Sequence, residues 1–391
     1  MLIGNGSPIS SAVILDVATP LLNNIAIDAG DSLSLSANLS AGELRSFGGL
    51  TINSGAVLNA GIVGFVQDQI TALTIVNMGG QFLDSGSYAQ GNGATIVNGQ
   101  LQTSLFHVTG GTVTTGSSGI LNIGGGGYTQ DDSVATSIDS GGQMNVTGAY
   151  SQGNRSTGVS GTLATSLFHA TGGSVSVGNG GVLDIGAGGY TQGTVGTTTT
   201  IASGGQLTIT GGDFGQEIGT DTLVDGVLTA DNITNSGTIT GSGLIVGQFA
   251  DPGSLDPGDN GSGTLSVMGN YTQTGFLDSD FAGLNSGDFL AVDGVASLNG
   301  TLNVAFTNGF VPQIGETFPV MSFESSMGHF LNITSQNMPP NETLAAIYSF
   351  SGVSVTVLDN NTTVPEPANL AMAVLAMISG LMLSRIIPRV N

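Results

Sequence analysis

The 391 residues include 65 Gly but no Cys, Trp or Lys, and only 8% of them are charged. Two of the four Arg lie in the last seven residues, so the body up to Pro367 sets Arg45 and Arg155 against 27 Asp plus Glu, a net charge near −25. Such a surface repels phosphate backbones and anionic lipid headgroups, which argues against a nucleic-acid role, and without Cys no disulfide staples the fold.

Apolar residues make up 39% of the chain and mean hydropathy is positive, so the glycines belong to something ordered rather than to a low-hydrophobicity disordered segment. Residues 1–49 are expected to be the start or cap of the repeats that follow. Met1 to Pro8 has no basic residue, and the apolar stretch Ala12–Val17 is short and holds Asp16. A secretory leader needs a positive region followed by a longer apolar one, so an upstream segment is expected.

Internal repetition dominates residues 50–250. Thr103-Ser-Leu-Phe-His-Val-Thr-Gly-Gly-Thr-Val recurs as Thr165-Ser-Leu-Phe-His-Ala-Thr-Gly-Gly-Ser-Val, an offset of 62 that also maps Tyr128 onto Tyr190. A shorter unit lies inside the longer one: a Gly pair, an apolar-x-apolar doublet, Gly, then an aromatic followed two residues later by Gln. Its aromatics fall at Tyr88, Tyr128, Tyr150, Tyr190 and Phe214, one or two units of about 20 to 22 residues apart. Leu121-Asn-Ile, Leu183-Asp-Ile and Leu207-Thr-Ile-Thr alternate with the period of two of a half-buried strand, and Gly-Gly, Gly-Asn or Ser-Gly pairs end most of them. Short strands, a period near 20 and fixed turn glycines predict an all-β fold built on a parallel β-solenoid of about 20-residue coils. Residues 50–247 would then supply about nine coils stacked at roughly 4.8 Å.

His107 and His169 occupy the same repeat position, three coils or roughly 14 Å apart, so they cannot share one metal ion. They are expected at a coil corner or partly buried. The aromatic–Gln pairs are expected to stack as aromatic columns and amide ladders, the alternative being an exposed sugar-binding stripe. No cofactor is expected.

Near residue 250 the character changes. Asp251-Pro-Gly and Asp256-Pro-Gly-Asp-Asn-Gly-Ser-Gly combine Pro, which lacks a ladder donor, with turn-forming Asp, so a linker is predicted over 251–263. Asp251, Asp256 and Asp259 admit either a calcium loop or plain turn chemistry. Beyond them, longer alternating runs such as Thr264–Met268, Thr301–Phe306 and Val353–Leu358 predict a small antiparallel β-module over 264–360 that closes the solenoid's open edge.

The chain closes with Val364-Pro365-Glu366-Pro367, an uncharged apolar run from Ala368 to Ser384, and Arg385 and Arg389. That run, extended through Ile387, predicts a single transmembrane helix over 368–387, near the minimum length for about 30 Å of hydrocarbon. The terminal arginines favour a cytoplasmic C-terminus and leave the acidic body outside.

The stretch Leu255-Asp-Pro-Gly-Asp-Asn-Gly-Ser-Gly-Thr-Leu-Ser-Val-Met-Gly-Asn-Tyr-Thr-Gln, with Gly294 to Met321 after it, resembles the passengers of autotransporter-associated β-strand proteins, a solenoid family of bacterial surface proteins. The tail over 364–391 resembles the PEP-CTERM sorting signal of Gram-negative bacteria. That resemblance implies an exosortase as partner, acting near Pro365, Glu366 and Pro367, with Arg385 and Arg389 fixing membrane topology. It departs from the family pattern where Ile386-Ile-Pro separates the two arginines, and a permanent C-terminal anchor is the alternative to cleavage.

The resulting expectation is an exported, non-enzymatic surface or matrix protein, structural or adhesin-like, in contact with the membrane and an exosortase during sorting and then with extracellular polysaccharide. A solenoid polysaccharide lyase or glycosidase and a self-assembling layer subunit are the alternatives. For the first of these the body holds only Arg45 and Arg155 as strong bases, its Glu are sparse, and no nucleophile-elbow pattern surrounds a Ser.

Overall fold

A computed structural model describes residues 2–3, 10–258 and 261–360. The predicted sorting tail, with Pro365, Glu366, Pro367, Arg385, Arg389 and the helix expected over 368–387, lies outside the described residues. Within them the chain forms strands and no α-helix. They build a parallel β-solenoid of about 14 turns, each of about 22 residues. At the strand spacing this is a rod on the order of 65 Å long.

One coil shows the plan. A first wall, Ala94–Val97, turns into a longer strand, Gln100–Val108, whose register against the next coil slips between Thr103 and Leu105. The slip splits that strand into a second wall ending at Thr103 and a third beginning at Leu105. Alternate residues of every wall point inward: Thr95 and Val97, Leu101 and Thr103, Phe106 and Val108 are all buried. Each coil then repeats the pattern one strand spacing higher, so apolar faces that no single coil can cover make one continuous core.

The predicted coil count holds. Nine parallel pairings carry the first wall from Gly49–Ile52 to Thr238–Gly241. The ladder also reaches further toward the N-terminus, since Ala12–Leu15 pairs with Ser32–Leu35 and that strand with Gly49–Ile52.

Two expectations need correction. The stack runs through the segment read as a linker: Ser254–Pro257 pairs in parallel with Thr238–Gly241 below and through Ser254 and Leu255 with the strand above, and Leu244–Asp251 pairs with Thr264–Met268 and Tyr271–Gln273. Pro252 stands at a corner and Pro257 at a strand's last residue, so neither has to break a wall. The predicted antiparallel module over 264–360 is likewise solenoid for most of its length. Thr301–Phe306 pairs in parallel with Phe276–Gly283 and with Asn332–Gln336. Longer antiparallel pairing begins only at the C-terminal end, where Gly352–Asp359 lies between Thr317–Ser322 and Glu342–Tyr348. Alternation of buried and exposed residues is the same in both kinds of half-buried sheet, so the run pattern alone does not fix strand direction.

Candidate functional site

The aromatics selected by the repeat are structural. Phe65, Tyr88, Phe106, Tyr128, Tyr150, Phe168, Tyr190 and Phe214 form one unbroken interior column on the third wall, each in register with the next. All are fully buried, which overturns the sugar-binding stripe. Ring centroids are 4.2 to 5.5 Å apart along the column, and Tyr190 lies parallel to Phe214 within 1° at 5.1 Å. Such offset stacks add about 0.5–1.5 kcal/mol per pair beyond area burial.

Each tyrosine of this column needs a partner for its hydroxyl, and the first wall supplies a threonine: Tyr88 meets Thr95 at 2.7 Å, Tyr128 meets Thr136 at 2.6 Å and Tyr150 meets Thr157 at 2.9 Å. The Gln two residues after the aromatic completes the network. Gln130 Oε1 accepts from Thr136 at 2.8 Å and from Tyr150 at 3.1 Å, while its Nε2 donates to the carbonyls of Val134 and Ser156 at 2.8 and 3.2 Å. Burial drives the hydroxyl pKa of these tyrosines upward, so they stay neutral donors. Where the aromatic is Phe106 or Phe168, the positions of the Gln and the Thr are apolar too, with Val108 and Val113 in one coil and Ala170 and Val175 in the other. Along the column the Gln and Thr therefore change together while the aromatic need not, since Phe65 stands with Gln67 and Thr74 and Phe214 with Gln216 and Thr222.

Asp251 occupies the same inner column as the glutamines, in register with Gln273. It is fully buried, accepts from Asn235 Nδ2 at 2.7 Å and Tyr271 OH at 3.3 Å, and burial pushes its carboxyl up to about 7. Asp256 instead lies on the outer face of the first wall, between inward Leu255 and Pro257. The two do not converge, so the calcium loop built on Asp251, Asp256 and Asp259 is not assembled by the first two, and Asp259 lies outside the described residues. Among the described residues no group of three or more metal-ligating side chains is gathered.

Two troughs mark the outer surface of the central coils. One lies at the corner between the third wall and the next coil's first wall, about 520 Å³, lined by Thr109, Asp131, Asp132, Ser133, Gly153 and Thr171. His107 Nε2 stands 3.5 Å from Asp131 Oδ1 at a half-exposed position. Its repeat mate His169 is in register with Ser151, which is in register with Thr129 and through it with His107, the expected three-coil separation. Sequence reading missed the second trough. It follows the corner between second and third walls, in two segments of about 530 and 480 Å³ that share Asn145 and Thr147. Its floor is low because the corner column is Ser104, Gly124, Thr147, Ser166, Gly186 and Thr210, all small, at spacings that the sequence does show.

The trough's walls are uncharged amides and hydroxyls with one carboxylate near each end. Asn145 Nδ2 donates to Asn122 Oδ1 at 2.9 Å, one amide pair that Ala164 ends on the next coil. Asp84 is buried, accepts from Thr103 Oγ1 at 2.9 Å and Gly86 N at 3.0 Å, and burial raises its pKa. Asp184 is exposed, five coils away by the register, or about 24 Å. Paired carboxylates of a glycosidase stand roughly 5 to 9.5 Å apart, so these two do not form such a pair. Comparison with known protein-family models finds no match, and neither does comparison with curated proteins.

Proposed function

We propose that this chain is the rod of an exported bacterial surface or matrix protein, structural and adhesin-like, sorted through its C-terminal tail and cleaved by an exosortase near Pro365-Glu366-Pro367. The observation that carries the reading is a long parallel ladder ending close to a sorting-signal-like tail, with an acidic, lysine-free outer surface of stacked small polar residues. A rod of this kind holds a surface at a distance from its anchor. Its side chains also repeat at the strand spacing, which suits a repetitive ligand.

The second-to-third-wall trough runs along the rod axis and offers Asn122, Asn145, Ser104 and Ser166 to hydroxyl groups. With no cation in its lining, it favours an uncharged polysaccharide over an acidic one. The tail supplies the address, and Arg385 and Arg389 hold its end on the cytoplasmic side until cleavage. Intact mass of the mature protein recovered from its native cells tests the sorting step. The expected species ends near Pro367, and a mature species that still carries Arg389 rules processing out.

A further inference from the structure

Among the described residues the solenoid is closed on one wall only past its last coil. Ser325–Gly328 and Asn332–Gln336 pair back to Val295–Leu298 and Thr301–Phe306, and among the described residues no strand follows them on their own walls. The second wall alone continues, through Gly352–Asp359 and then Glu342–Tyr348. Val353, Val355 and Val357 are buried by the coil beneath them. Their partners one strand further out, Tyr348, Ala346 and Leu344, face the same way over the end of the rod and are only partly covered, with Tyr348 OH accepting from Phe330 N at 2.9 Å. Ile333 and Met338 are half-covered beside them. The outer edge of Glu342–Tyr348 carries no strand among the described residues.

An apolar overhang and an open strand edge at the same place are a pairing template unless the edge is protected. This one carries no lysine, no charge from Thr343 to Phe350 and no internal proline. We propose that the C-terminal hairpin is a homodimer interface, in which two copies pair their Glu342–Tyr348 strands antiparallel about a two-fold axis centred on Ala345. The second-wall sheets then run continuously through both rods.

Self-pairing suits this strand for three reasons. A register centred on Ala345 sets Leu344 against the other copy's Ala346 and Thr343 against its Ile347, so large residues meet small ones and the two inward stripes fuse. Glu342 falls opposite the other copy's Tyr348 rather than opposite a second Glu342. The joint is collinear, so two strongly acidic bodies point away from each other, the arrangement in which their repulsion is least.

Because the chain has no Cys, a single introduced thiol reports the joint without background. Full-length Ala345→Cys, oxidised mildly in detergent, is expected to give a covalent dimer on a non-reducing gel, since residues opposed across an antiparallel pair lie within disulfide reach. Ser117→Cys, at an exposed mid-rod corner, is expected to stay monomeric. Sedimentation of the full-length protein in detergent is expected to give twice the chain mass. Ala345→Lys, which opposes two ammonium groups across the axis on the outer face, is expected to halve that mass with an unchanged sheet spectrum in circular dichroism. A monomer at every concentration, a series of species growing past the dimer, or a dimer that survives Ala345→Lys without Ala345→Cys cross-linking overturns the proposal; the last would place association in the apolar tail.

Discussion

Gln130 is the hub of one polar rung, and replacing it with Leu isolates what the rung is worth. Tyr128 shares one hydroxyl hydrogen with Thr136, and Tyr150 shares one with Thr157, at 2.6 and 2.9 Å. Each pair has a second hydrogen, and Gln130 Oε1 is the acceptor for both pairs. Gln130→Leu strands two buried donors at about 1–3 kcal/mol each, offset by about 1–2 kcal/mol of added apolar burial, for a net loss of about 2.5 kcal/mol at the middle of those ranges. Adding Tyr128→Phe and Thr136→Val removes one pair entirely and copies the dry rung of Phe106, Val108 and Val113. One stranded donor then remains, so the triple variant should be about 1 kcal/mol or more stabler than the single. Hydrogen exchange of the Tyr128–Gln130 and Tyr150–Gln152 amides is the assay, because a stacked array opens locally and one global midpoint averages over coils. A triple variant as unstable as Gln130→Leu, or a neutral Gln130→Leu, would refute the reasoning.

Asp251 gives a pH signature. Its folded pKa of about 7 lies above the ordinary carboxylate value, so the stability it confers is complete below about pH 4 and is lost as pH rises through 7, by on the order of 4 kcal/mol. Asp251→Asn, which extends the amide column beside Asn235, should flatten that slope in urea titrations at pH 5 and 8; an equal slope in both proteins contradicts the burial argument. At Gly173 the backbone φ is +69° and an added Cβ would land on the Arg155 carbonyl oxygen, so Gly173→Ala should cost more than about 2 kcal/mol. Gly125→Ala meets nothing within 4 Å and should stay within about 0.5 kcal/mol, and similar melting curves for the two variants would count against the close stacking of the corners.

Much of the rod was legible in the residues. The 62-residue offset, the alternation of Leu121-Asn-Ile and the Tyr-x-Gln units predicted a parallel stack and its interior aromatics, because both depend on local periodicity. The threonine that completes each rung was not legible. Thr95, Thr136 and Thr157 lie seven or eight residues from their tyrosines, in strands where many Thr point outward, and only coil closure shows which of them face the hydroxyl. The long trough escaped for a related reason: Ser104, Gly124 and Thr147 look like ordinary turn residues until the register sets them in one column.

By itself, then, the sequence determined the all-β character, the coil period and the acidic outer surface, since alternation, glycine spacing and charge are properties of short stretches read one at a time. Tertiary structure decided that the stack passes through Asp251 and Pro257, that Thr301–Phe306 pairs in parallel, and that among the described residues the far end is left half-closed. Strand direction and the point where stacking stops depend on partners some 20 to 30 residues away. A half-buried strand presents the same alternating pattern to a partner running either way.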